Sequence, residues 1–445
     1  MKKWWIIGGS LLALLLVLAV GLVVAYRTIL SKNFLAAQIE KSIDSRVQIG
    51  DFRVSLFSVP ATVVIEDVII TERDELARDG VAHDKRVPIE GGPVRIEEIG
   101  FDLSLRELLA REINVSKLRV RGAHFDLEMD REGKLNIESL FAAPPETEKD
   151  AEEDPAEEDA GKRAFVTQLD RLLIEDGSFD LLIEKTGLEV VGKRLRFDLK
   201  DIRVDPNALE KVNEAHLDFE AQLEAFSAKK GRQKYGQIGL EGPARVRLFD
   251  PTTGKLDPDA EIDFAIHQDS YVSSKAPYIS KLWSVTDALH KIGLKDQALP
   301  DRLTFGRDRV LDGRYRRNRI ELRQAASLMV EDWELILDGG SWVELGTEQH
   351  SSSVLLLANA KLSDWTAGHL AKLSESAPER VRASVLEQLR APLFVEDRLT
   401  LKASTSGPLS DPKVTLETRL PDIGKLLREV ATDTALEFLF QKLNE

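Results

Sequence analysis

Apolar and polar residues alternate one by one along much of this chain. In residues 121–130, Phe125, Leu127 and Met129 are separated by charged neighbours. The same period of two recurs in four later stretches, residues 194–199, 216–223, 244–248 and 261–267. Successive side chains of a strand point to opposite faces, so this pattern predicts a mostly β protein with an antiparallel sheet that has one apolar and one charged face.

The apolar residues of these stretches are predicted to share one face of the sheet. They are Phe125, Leu127, Met129, Leu195, Phe197, Leu199, Leu217, Phe219, Leu223, Val246, Leu248, Ile262, Phe264 and Ile266. Apolar surface is unfavourable in water, so this face requires a cover. The pattern alone leaves two kinds of cover as alternatives. A second sheet can pack on it as a sandwich, or the sheet can curl around lipid chains.

A short motif of an apolar strand end, a glycine and an aromatic residue recurs at irregular spacing. Its copies lie at residues 118–125, 172–179, 309–315 and 335–342. Because glycine adopts positive φ without steric cost, each copy is predicted to be a hairpin corner after which the aromatic residue begins the next strand.

The beginning of the chain has a different pattern. The 23 residues from Trp4 to Tyr26 contain no charged side chain. As a helix they would span about 34 Å, which exceeds the ~30 Å hydrocarbon core of a bilayer. We therefore predict a cytoplasmic tip and transmembrane anchor in residues 1–29, with the remaining chain outside the cytoplasm. A cleaved secretory signal ending near Ala25 is the alternative, although this apolar run is longer than a usual signal core.

An acidic run at residues 144–163 carries nine carboxylates and almost no apolar side chains. This composition predicts a disordered linker between an N-terminal β module, residues 30–143, and a C-terminal β-groove module, residues 164–420. Binding of a cation or of a basic partner is the alternative role for the run. Residues 421–445 are predicted to form a C-terminal amphipathic helix.

Apolar residues at helical spacing predict two further short helices. One contains Tyr278, Leu282 and Val285, and the other contains Val385 and Leu389. We expect each of the three helices to pack on a sheet edge, with a lid or membrane-contacting role as the alternative.

Composition narrows the chemistry of the chain. It has a net charge of −15 and no basic stripe, which argues against nucleic-acid binding. It has no cysteine, and its seven histidines include no pair at the i, i+4 spacing of a helical zinc site. Nucleophile-elbow and phosphate-loop motifs are also missing. We therefore expect a non-enzymatic protein without catalytic residues, bound metal or cofactor.

Several segments resemble the AsmA family of bacterial envelope proteins. The anchor is followed by VQIGDFRVSLFSVPATVVIEDVIITER at 47–73 and by VRIEEIGFDLSLRELLAREINVSKLRVRGAHFDLEMDREGKLNIESLF at 94–141. The second segment contains the leucine-rich turn LRELLAREI, and it ends in a motif of the DG-N-L type around Gly133 and Asn136. GPLSDPKVTLE at 407–417 resembles an element near the C-terminal end of AsmA and TamB relatives.

This resemblance implies a single-pass protein of the bacterial inner membrane with a cytoplasmic N-terminus and a periplasmic body. This body would be an elongated, curled antiparallel β-sheet whose apolar face forms the wall of a hydrophobic groove. The groove would bind phospholipid acyl chains and help to move phospholipids between the inner and outer membranes. The implied partners are these acyl chains, the inner membrane through residues 4–26, and other periplasmic or outer-membrane proteins. An envelope scaffold or assembly factor for outer-membrane biogenesis is the alternative.

Overall fold

The computed structural model describes most of the chain outside its two ends. The described residues are 31–55, 61–74, 81–103, 113–142, 167–205, 208–228, 231–254, 256–286, 289, 301–305, 309–345, 347–422 and 425. The predicted transmembrane segment, the acidic run and all but the first residues of the predicted C-terminal helix lie outside these ranges. Within them, no helix has the length and apolar character needed to span a membrane.

The described residues form twenty strands and four α-helices, which confirms the prediction of a mostly β protein. The helices are α1 (Lys32–Ser42), α2 (Pro277–Trp283), α3 (Ala360–Ser374) and α4 (Arg382–Arg390). The strands are β1 (Ser45–Ser55), β2 (Ala61–Glu72), β3 (Val94–Leu103), β4 (Ile113–Met129), β5 (Thr167–Ile183), β6 (Leu188–Val204), β7 (Asn213–Ser227), β8 (Gln233–Phe249), β9 (Leu256–Ile266), β10 (Tyr271–Ser273), β11 (Arg302–Thr304), β12 (Arg309–Arg316), β13 (Arg319–Leu322), β14 (Ala326–Val330), β15 (Trp333–Leu337), β16 (Trp342–Glu344), β17 (Gln349–Ala358), β18 (Phe394–Val395), β19 (Arg398–Pro408) and β20 (Lys413–Leu416).

These elements belong to two compact units. The first consists of Met1–Lys234, Gly239–Phe264 and Tyr315–Asn318, and the second consists of Tyr235–Ile238, Ala265–Arg314 and Arg319–Glu445. Strands on both sides of the acidic run lie in the first unit. The run therefore connects two strands that pair with each other, and the module boundary that we placed there stays a prediction.

Strand direction in the first unit departs from the expected antiparallel pattern at one pair. β1 to β4 pair in chain order and antiparallel, as do β5, β6 and β7. β4 and β5, however, run parallel over their full lengths, from Ile113 beside Thr167 to Met129 beside Ile183. Parallel neighbours require a long connection, and the 37 residues between β4 and β5 supply it. Alternation shows the faces of a strand and not its direction, so the fully antiparallel expectation was wrong here.

Three of the four predicted glycine corners are also wrong. Residues 118–125, 172–179 and 309–315 lie inside β4, β5 and β12, and only residues 335–342 make a turn, between β15 and β16. In β4 and β5 the motif instead contains a residue with positive φ, Gly122 at +62° and Asp176 at +54°, and the strand continues through it. The pairing of neighbouring strands is interrupted at both places, and between β5 and β6 the register also shifts, as at a bulge. Bulges bend a strand and increase its twist, so they curve the sheet without ending the strand.

The core of the first unit lies under β1 to β4. Helix α1 begins at an N-cap, where the Ser31 hydroxyl accepts a hydrogen bond from the Phe34 N–H, and it buries Leu35 and Ile39 against the sheet. The chain after β4 returns beneath the same face and buries Leu135, Ile137, Leu140 and Phe141. Together these two segments cover the apolar face of β1 to β4.

The second unit has a core of its own. β17 pairs with β15 and β19, and β19 pairs with β20. Leu356 and Leu401 of this sheet are fully buried, together with Leu370 of α3 and Leu389 of α4. The apolar face of this sheet is therefore closed by helices of the same unit. Helices α2 and α4 confirm two predicted helices, whereas α1 and α3 were not predicted.

Candidate functional site

Rows of apolar side chains cross β4, β5, β6 and β7 on one face of the first unit. The ladder register places one residue of each strand in each row. The rows are Leu118, Leu172, Leu199 and Leu217; Val120, Ile174, Phe197 and Phe219; Phe125, Phe179, Gly192 and Leu223; and Leu127, Leu181, Val190 and Ala225. We call this surface the apolar face. Seven of the predicted groove residues lie in these rows, and Leu195 joins them opposite Gly177.

The cover of the apolar face ends partway along the rows. In the second row, Val120 of β4 is 0% exposed, because α1 and the segment after β4 pack in the same core. Ile174 of β5 is half-buried at the margin of that core. Phe197 and Phe219 are half-buried too, but they belong to none of the three buried clusters that the described residues form. Leu199 and Leu223 are likewise half-buried and outside these clusters. We call the four residues Phe197, Leu199, Phe219 and Leu223 the open wall.

The remaining predicted groove residues have different surroundings. Phe125 and Leu127 are half-buried against the covered core, and Met129 is fully buried within it. Residues of β8 and β9 form a small separate cluster with Leu217, and its predicted members are Val246, Leu248 and Ile262. Phe264 is half-buried in β9, whereas Ile266 is buried and lies in the second unit. Leu195 of β6 is buried as well. The structure therefore brings most predicted residues to one face but leaves only two of β6 and two of β7 in the open wall.

Gly192 also shapes the apolar face, and it was not identified from the sequence. Phe179 of β5 lies directly over Gly192 of β6, so that a Cβ added to Gly192 would lie 2.3 Å from the phenyl ring. Only glycine allows the ring this position. The glycine stands where the alternation expects an apolar side chain, and its partner on β5 is far away in sequence.

The opposite face of the same strands is charged and internally paired. The Arg171 guanidinium donates two hydrogen bonds of 2.6 Å to Asp198, and these bonds lower the pKa of that carboxyl group. Lys193 and Lys234 lie 2.8 and 2.9 Å from the Glu224 carboxylate, whose pKa their hydrogen bonds also lower. The two carboxylates are largely buried, whereas their partners Arg171 and Lys193 remain partly exposed to water. This face is therefore suited to contact water, and the apolar face is not.

One histidine on the charged face has a complete set of hydrogen-bond partners. His124 Nδ1 lies 2.9 Å from Ser178 Oγ, and its Nε2 lies 3.0 Å from Asp126 Oδ1. A neutral ring would accept from the serine hydroxyl and donate to the carboxylate. Serine hydrolases use the opposite arrangement, with the hydroxyl on Nε2 and the carboxylate on Nδ1. The cluster thus does not match a serine nucleophile, and the expectation of a non-enzymatic protein stays a prediction.

Comparisons with known proteins give one match. The model of the AsmA family matches residues 1–249, which is more than half of the 445 residues. The matched range contains α1 and β1 to β8, and so it includes the whole open wall. Neither the curated proteins nor the solved structures contain a match.

Proposed function

Because the chain belongs to the AsmA family and its apolar face is only partly covered, we propose that it binds phospholipid acyl chains along the open wall. It would thereby help to transfer phospholipids between the inner and outer membranes. In this proposal the protein is anchored in the inner membrane by residues 4–26, with its body in the periplasm. It acts as a binding protein without catalytic chemistry.

The observation that carries this proposal is the change in cover along single rows. The row from Val120 to Phe219 stays apolar across four strands, but among the described residues its cover is present at β4 and ends before β7. A protein that only needed a core would gain about 25 cal/mol for each Å² of apolar surface removed from water by extending the cover. An acyl chain is an apolar cover that binds reversibly, so it fits the uncovered part.

The experiment compares bound lipid in variants of the two faces. The full-length protein is extracted gently, and its phospholipid is quantified by mass spectrometry. In Phe219→Arg, the long side chain can lie along the wall and extend its guanidinium to water, so the fold is expected to survive. The charge would occupy the acyl-chain path, so we expect bound phospholipid to fall severalfold while the unfolding transition stays cooperative.

Two further variants complete the comparison. Glu220→Arg places the same side chain on the charged face beside Phe219, and it is expected to keep both lipid and fold. Val120→Arg buries an unpaired charge in the covered core, and it is expected to unfold the unit. If Phe219→Arg folds and retains wild-type lipid, the wall does not bind acyl chains. The same strands would then serve an envelope scaffold or assembly factor, which is the alternative function.

A further inference from the structure

Three potential metal ligands meet on the charged face of the parallel pair β4 and β5. His124, Asp126 and Asp180 each offer a donor atom, and these atoms all lie within 4.8 Å of one another. From this geometry we infer a binding site for a divalent transition-metal ion of the Zn²⁺ type. The site lies on the opposite face from the open wall, and it does not rest on the proposed lipid function.

The parallel register creates the cluster. Residues 124 and 126 have the same orientation on β4, and Asp180 lies directly beside Asp126 on β5. His124 Nε2 is 3.0 Å from Asp126 Oδ1 and 3.8 Å from Asp180 Oδ2. Ligands about 2.0 to 2.2 Å from a tetrahedral Zn²⁺ are roughly 3.3 to 3.6 Å apart. The two observed distances bracket that spacing, so small side-chain rotations would complete the site.

The electrostatics of the pair favour a cation. Like charges directly opposite each other on neighbouring strands are destabilising. Asp126 and Asp180 form such a pair. The Arg95 guanidinium lies 2.8 Å from Asp126, whereas Arg232, which is bonded to Glu189, interacts with Asp180 only at longer range. A divalent ion between the carboxylates would offset the remaining repulsion and link β4 to β5.

The outer atoms of the ligands already have suitable partners. A metal-bound histidine usually donates its other ring N–H to an acceptor that holds its orientation. With Zn²⁺ on Nε2, the Nδ1–H of His124 would donate to Ser178 Oγ at 2.9 Å. The other oxygen of Asp126, Oδ2, is held by Arg95. A cavity beside the cluster offers room for a water as a further ligand. Its lining includes Ser178 and Asp180, and it also includes the basic residues Lys193 and Arg232.

The test uses the full-length protein without a histidine tag, stripped of metal and titrated with ZnCl₂ by calorimetry. We expect the wild type to bind one Zn²⁺ more tightly than Mg²⁺ or Ca²⁺, because an imidazole ligand favours transition metals. His124→Gln and Asp180→Asn should abolish this binding. Ser178→Ala, which removes only the partner of Nδ1, should weaken it about 10- to 100-fold.

Two controls separate this site from general surface binding. His216 is a half-exposed histidine on the same face, 3.7 Å from Asp201, and His216→Gln should leave Zn²⁺ affinity unchanged. Without metal, Asp180→Asn should have a higher melting temperature than the wild type, because the like-charge pair is removed. Addition of Zn²⁺ should raise the melting temperature of the wild type but not that of Asp180→Asn. The inference is overturned if His124→Gln binds Zn²⁺ as the wild type does. It is also overturned if the wild type binds Zn²⁺ only at dispersed surface carboxylates.

Discussion

At the scale of single residues, Gly192 controls the shape of the apolar face. Its missing side chain lets the Phe179 ring lie over the β6 backbone in the row that ends at Leu223. Packing of this kind is sensitive to one added methyl group, because overpacking forces neighbouring side chains out of their preferred positions.

We therefore expect Gly192→Ala to displace the Phe179 ring and to lower the free energy of unfolding by about 1–3 kcal/mol. Phe179→Leu provides the matched background, since the smaller side chain leaves room for the methyl group. In that background Gly192→Ala should cost much less, and denaturant unfolding of the four proteins measures the difference. Equal costs in both backgrounds would show that the ring contact is not responsible.

His350 in the second unit makes stability depend on pH. Its burial disfavours the imidazolium and lowers its pKa, although a hydrogen bond from the ring to the Gly407 carbonyl partly opposes this shift. The unfolded chain, with a pKa near 6.5, binds a proton more readily than the folded one. The stabilising contribution is thus complete above about pH 6.5 and is lost as pH falls through the folded pKa.

We expect the second unit to lose stability between pH 7.5 and 5.5, and the slope to be smaller in His350→Gln. Tryptophan fluorescence measures this unit selectively, because four of the six tryptophans lie in it and Trp283 and Trp333 share its core. His83 in the first unit also has a lowered pKa, chiefly through burial, so the comparison of the two proteins isolates His350. Identical slopes would contradict the assignment.

At the scale of elements, a buried ion pair holds α1 in place. Glu40 of α1 and Arg86 have side chains only 5% and 7% exposed, and the guanidinium donates to both carboxylate oxygens at 2.9 and 2.8 Å. Glu40 also accepts a hydrogen bond from the Val47 N–H of β1. The covering helix, the first strand and the segment containing Arg86 are thereby joined at one carboxylate.

Removing one member of this pair should be worse than removing both. Glu40→Gln would leave the Arg86 charge buried without a counter-charge, at a cost of about 3–5 kcal/mol. Glu40→Gln combined with Arg86→Met removes both charges, and it should recover part of that loss. Thermal unfolding of the first unit measures both variants. A double variant less stable than Glu40→Gln alone would contradict this account.

At the scale of the whole molecule, the sequence predicts one orientation in the membrane. A reporter that is active only outside the cytoplasm, fused after Glu445, is expected to be active. The mature protein should still begin at or near Met1, because residues 4–26 are predicted to remain as an anchor. An N-terminus mapped near Tyr26 would instead indicate a cleaved signal, and an inactive reporter would reverse the topology.

Cover also differs between the two units. In the second unit, helices α3 and α4 close the core around Leu356 and Leu401. In the first unit, the core closed by α1 and the segment after β4 extends over β4 and β5, and among the described residues it does not reach Phe197 or Phe219. We therefore expect an apolar ligand to bind to the first unit.

The sequence by itself determined the strands of this protein and the orientation of their side chains. A period of two is a local property, because each side chain points away from its neighbours along the strand. It therefore placed Phe197, Leu199, Phe219 and Leu223 on one face before any strand pairing was known. Family resemblance followed from local motifs in the same way.

Only the tertiary structure decided how the strands are paired and what covers them. The parallel direction of β4 and β5 depends on a contact across 37 intervening residues, and it alone brings Asp180 beside His124 and Asp126. The strands continue through Gly122 and Asp176, where glycine predicted corners, because the neighbouring strands hold the backbone in register. Cover depends equally on distant segments, so no local pattern could show that it ends between Val120 and Phe219.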